Sequence, residues 1–188
     1  MGKKRDYKQM MGWFIIIVMV LSVGGIIGSG FNSSQSEEAP FTEYNGYKIY
    51  QYGAQSQVQI AGQTYTFQYS PVELENLTMP INVLTWLNKE KIYLAYDPQS
   101  NMSINQQLQF IGFAFYQNGI IPQQACTTEE GCGDIPIINC ENDGIILLSS
   151  TENIITKDNK CLVLEAENTN ELQKMTERFV YGFLGVMN

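Results

Sequence analysis

Four cysteines stand in the second half of the chain, Cys126, Cys132, Cys140 and Cys161. In an oxidising exterior an even number of thiols usually means disulfides rather than free nucleophiles. Three connectivities exist. The expected one joins Cys126 to Cys132, closing an acidic loop, and Cys140 to Cys161, stapling the end of one strand to the start of another. The second bridge closes 22 residues and would add about 3 kcal/mol by the chain-entropy model. Zinc competes for the same side chains. Intervals of five, seven and twenty residues fit no common two-by-two knuckle, and the chain has no histidine to assist. No Cys-x-x-Cys is present to lower a thiol pKa, so a redox enzyme is not expected.

Lack of histidine also removes the commonest general base and the usual partner of a Ser or Cys nucleophile. What remains is carboxylate chemistry. Glu129, Glu130, Asp134, Glu141 and Asp143 gather in the cysteine-rich region, where oxygen ligands could hold Ca²⁺, but no Asp-x-Asp-x-Asp loop is present. Asp97 falls at the end of a strand, a site-like position. Paired with an acid from residues 129–143 it would make a carboxylate-dependent hydrolase, the alternative to a non-enzymatic protein. Asp97-Pro98 is equally a routine strand-ending turn. No glycine-rich phosphate loop or dinucleotide fingerprint occurs, so neither a cofactor nor a metal is expected. Tyr44, Tyr47, Tyr50, Tyr52, Tyr65 and Tyr69 could stack on a sugar or a partner protein; half-buried sheet faces favour aromatics for packing alone. Asn32, Asn76 and Asn101 each open an Asn-x-Ser/Thr glycosylation sequon.

Where these groups sit depends on the N-terminus. Residues 11–31 carry no charge and are apolar enough for a transmembrane helix. Lys3, Lys4, Arg5 and Lys8 precede the run, and the first charges after it are Glu37 and Glu38. The positive-inside rule therefore places residues 1–10 in the cytoplasm and the remainder outside. A cleavable signal peptide with its core at Trp13–Val23 is the rival reading, and it exports the same domain. Gly24 and Gly28 form a GxxxG, which could bring two such helices together or simply reflect how common Gly is in membrane helices. Beyond residue 30 there are seven Lys and Arg against eighteen Asp and Glu, a net charge of −11. That surface repels phosphate backbones, so nucleic acid is not an expected partner.

Residues 32–40 are polar and read as a linker. The 188-residue chain then leaves one domain, 41–188. Asn45-Gly46 and Ala61-Gly62 mark two hairpins, with Tyr65, Phe67 and Tyr69 alternating onto one face before Pro71 stops the strand. Thr78 and Pro80 open a short helix carrying Ile81, Leu84 and Leu87. Lys91–Tyr96 is a strand. A helix with a Ser103/Gln106 capping box carries Ile104, Leu108, Ile111 and Phe115 on one stripe and ends at Gly119. Strands are expected at Ile135–Asn139, Gly144–Leu148 and Cys161–Leu164, with a turn at Lys157–Lys160. A final helix starts at Asn168–Asn170, with Leu172, Met175, Phe179, Phe183 and Val186 along one face. The class is α/β or α+β: antiparallel hairpins leading into a mixed sheet packed by helices.

Tyr96-Asp97-Pro98, Pro136–Cys140, Cys161–Leu164 and Glu177–Met187 together resemble the single-pass membrane proteins of small-genome archaea. The resemblance implies a single membrane pass with an outer domain, and no catalytic residue. The expected protein is an anchored, exported domain that contacts a protein or glycan, or an accessory subunit of a membrane complex.

Overall fold

The structure is a computed structural model that describes residues 40–80, 90–100 and 102–187. The expected cytoplasmic segment 1–10, the membrane helix 11–31, Asn32 and Asn101 lie outside the described residues. So do all of the 32–40 linker except Pro40 and the helix carrying Ile81, Leu84 and Leu87. Among the described residues no helix is long and apolar enough to cross a membrane.

The fold is α+β, built on two sheets. The first is an antiparallel meander of β1 (Phe41–Tyr44), β2 (Tyr47–Tyr52), β3 (Gln55–Ile60) and β4 (Gln63–Phe67). Two-residue turns at Asn45-Gly46 and Ala61-Gly62 run in the left-handed region, with φ of 49° and 84° and of 50° and 82°, which matches the twist of the flanking strands. A further hairpin turns at Gly53, φ 62°, so the sequence's two hairpins are one continuous sheet. Ile49, Val58, Tyr65 and Phe67 line its inner face. Buried Ser56 among them is satisfied by Gln51, whose Nε2 donates at 3.1 Å.

The second sheet has the order β6-β5-β7-β9-β8. Strands β5 (Lys91–Tyr96), β6 (Ile121–Cys126), β7 (Gly144–Ser149) and β9 (Cys161–Ala166) are parallel, and β8 (Ile154–Asp158) is antiparallel at the edge. The near-continuous apolar runs of β5, β7 and β9 follow from burial on both faces. Two strands depart from the sequence expectation. β6 includes Pro122 and two glutamines in Ile121–Cys126, tolerable because an edge strand can spare a donor. β8 runs through Lys157 and Asp158, leaving only Asn159-Lys160 for the turn, with Asn159 at φ 46°. In the opposite direction, Ile135–Asn139 is not a strand. It touches the sheet through a single bridge, Cys126 with Ile137, because β6 ends at Cys126 and offers no further backbone to pair with.

Helices α1 (Asn105–Gln117) and α2 (Thr169–Phe183) pack between the sheets. Leu172, Met175 and Phe179 of α2 face one way, while Glu177 and Tyr181 lie on the opposite side. Every residue from Met175 to Gly182 is buried in consequence. Asn168 caps α2, its side-chain oxygen accepting from Asn170 N–H and Glu171 N–H at 3.0 Å each. The capping box expected for α1 does not form. Ile104 occupies the cap position, and Ser103 N–H donates to Thr169 Oγ1 instead. The stripe itself holds, with Ile104, Leu108, Ile111 and Phe115 all buried, and Gly119 follows in the left-handed conformation, φ 78°.

Candidate functional site

Cys126 and Cys132 form a disulfide, Cα to Cα 6.0 Å. It closes the loop that docks on the end of β5: Thr127 N–H donates to Tyr96 O at 3.0 Å, and Gln99 Nε2 to Glu130 O at 3.2 Å. The second expected pair comes together without bonding. Cys140 and Cys161 are thiols within hydrogen-bonding reach of each other, with Asp158 in reach of Cys140. Burial is the main cause that pushes both thiols upward in pKa. In this structure the expected second pair stands as two adjacent thiols.

The carboxylates do not converge. Asp97 closes its own turn, Oδ1 accepting from Gln99 N–H at 2.9 Å and its carbonyl from Ser100 N–H at 3.0 Å. Glu129, Glu130, Asp134 and Glu141 are exposed. No set of three metal-ligating side chains occurs among the described residues. The tyrosines mostly build the fold. Tyr65 is buried, Tyr44, Tyr47 and Tyr69 pack against the core, Tyr50 meets Phe41 on the outer face, and Tyr52 is exposed. Asn76 of the second sequon is exposed.

A cleft of about 370 Å³ opens between the end of β4, α1 and α2. Its position follows from the two-sided helices. Phe110 and Phe113 lie on the side of α1 opposite the Leu108–Ile111–Phe115 stripe and turn toward the antiparallel sheet. Phe67 stacks on Tyr181 with centroids 3.7 Å apart and meets Phe110 edge-on at 5.4 Å; Tyr65 meets Phe113 at 6.0 Å. These rings set the spacing between sheet and helices. Six glutamines surround them, Gln55, Gln68, Gln106, Gln107, Gln109 and Gln173.

Glu177 anchors the wall. Its Oε1 accepts from Gln68 N–H at 2.9 Å and Gln173 Nε2 at 3.0 Å, and its Oε2 from Tyr69 N–H at 2.8 Å. Burial raises its pKa, and the three donors pull against that rise. Just beyond, Tyr181 Oη donates to Tyr69 O at 3.0 Å; burial raises this phenol above its ordinary value. Two polar atoms on the lining, Gln107 Oε1 and Thr176 Oγ1, have no hydrogen-bond partner. Native interiors rarely leave such groups unpaired.

Of the lining, the sequence singled out Phe67, for its place on an alternating strand face, and Gln106, as half of a capping box, and neither for binding. The available signal was the run Asn105–Phe110, with three glutamines, and Phe113 standing off the apolar stripe. No protein-family model, curated protein or solved structure matches the chain.

Proposed function

We propose that the chain is a membrane-anchored binding domain, held outside the cytoplasm by residues 11–31 and receiving its ligand in the glutamine-lined cleft. The observation that carries the binding assignment is the cleft itself, about 370 Å³, with six glutamines set around Phe110 and the exposed Phe113. The anchor rests on the uncharged run 11–31 and its basic inner flank. The Cys126–Cys132 bridge suits an oxidising exterior. Neither the cleft nor its surroundings draws on Asp97 or the acids of residues 129–143, so the hydrolase alternative gains no support.

Export also gives the thiol pair a fate. An oxidised dithiol catalyst of the exterior would take two electrons and two protons from Cys140 and Cys161, closing the second bridge and leaving the catalyst reduced. Protease added to intact cells tests the topology, with alkylation of unreduced protein as a second readout. The expected result is loss of the domain from intact cells and no alkylatable thiol in native, membrane-derived protein. Protection until lysis, alongside a cytosolic marker, would overturn the topology.

A further inference from the structure

We infer that the cleft between β4 and the two helices takes a short neutral carbohydrate, an inference that rests on the binding-domain reading and specifies its ligand. The first reason is the supply of hydrogen-bonding groups. Gln55, Gln68, Gln106 and Gln109 are exposed residues of the lining. Their carboxamides each offer both a donor and an acceptor. A sugar hydroxyl donates and accepts from one atom and so satisfies either end of a carboxamide.

The second reason is charge. The one ionisable lining residue is Glu177, and both of its oxygens are already engaged. The lining offers no cation to an anionic ligand, and the chain's net charge of −8 repels one. Shape and polarity supply the third reason. The apolar lining is phenylalanine alone, with Phe113 45% exposed, and no aliphatic side chain contributes. Aromatic rings receive the C–H faces of a pyranose while the hydroxyls turn outward to the carboxamides. An extended peptide instead needs pockets for alternate side chains along a strand edge, and this lining provides none. The volume, about 370 Å³, falls at the small end of ligand clefts, about 300–1,000 Å³.

The test uses the full chain in a sugar-free zwitterionic detergent. Cellotriose, maltotriose, mannotriose and chitotriose are titrated at millimolar concentration, with trigalacturonate as the anionic control and an acetylated Ala-Thr hexapeptide as the strand control. Saturation-transfer NMR and the glutamine carboxamide resonances report binding. At least one neutral trisaccharide should bind and shift those resonances, and trigalacturonate should not. Phe113→Ala, at an exposed ring, and Gln109→Ala, at an exposed carboxamide, should each weaken binding about tenfold or more. Both positions are exposed, so both variants should melt with the parent. Sugar binding unchanged in these variants would overturn the assignment to this cleft. Binding of the hexapeptide alone would overturn the carbohydrate and leave the binding domain standing. Silence from every probe would overturn both the carbohydrate and the cleft as a binding site, while the topology stands or falls separately by protease accessibility.

Discussion

Glu177→Gln changes a single atom in the side chain and tests the joint between the antiparallel sheet and α2. The carboxylate takes three donors, at 2.9 Å from Gln68 N–H, 2.8 Å from Tyr69 N–H and 3.0 Å from Gln173 Nε2. A carboxamide has one acceptor oxygen. Gln173 can rotate its own amide to adapt, but the backbone at residues 68 and 69 cannot, so one buried N–H loses its acceptor. That costs about 1–3 kcal/mol, and for a domain of this size each kcal/mol lowers Tm by about 2–4 °C. Circular-dichroism melts of parent and variant at neutral pH measure it, and hydrogen exchange at the amides of Gln68 and Tyr69 gives the local readout, with faster exchange expected in the variant. Unchanged exchange at both amides would refute the assignment of Glu177 as the clamp.

Two further outcomes follow from the same packing. Phe67→Ala removes the ring between Tyr181 and Phe110 and should cost about 3–5 kcal/mol in urea unfolding; a loss under about 1 kcal/mol would mean the sheet and helices do not share a core. Asn45→Ala forces Ala into φ 49° and removes the bond from Asn45 Nδ2 to Val186 O. It should cost about 1–2 kcal/mol, with Asn45→Gly recovering the turn but not the tether.

Hairpin turns, core strands and helix stripes were legible because each is dictated locally. Asn45-Gly46 and Ala61-Gly62 need positive φ, and β5, β7 and β9 announce two-sided burial through unbroken apolar runs. The edges were not. β6 looks polar because an edge strand must bury little, and Pro122 costs it nothing there; β8 was hidden by Lys157 and Asp158 facing solvent. Ile135–Asn139 has strand composition but no partner backbone. The cysteines were paired correctly by sequence spacing in one case and brought face to face, unbonded, in the other. The cleft was hidden for a different reason. Its residues belong to the second sides of α1 and α2, and a search for one apolar stripe per helix passes over Glu177, Tyr181, Phe110 and Phe113.

The hydrogen bond from Asn45 to Val186 spans 141 positions of sequence, and Val186 and Met187 are buried. Long-range closure of this kind is slow, because the entropy of the intervening loop is surrendered before the contact returns anything. Until the final helix is made, the first meander has α1 to settle against but lacks Tyr181 and Val186. The contact between the first hairpin and the C-terminus therefore closes only once residue 186 is in place.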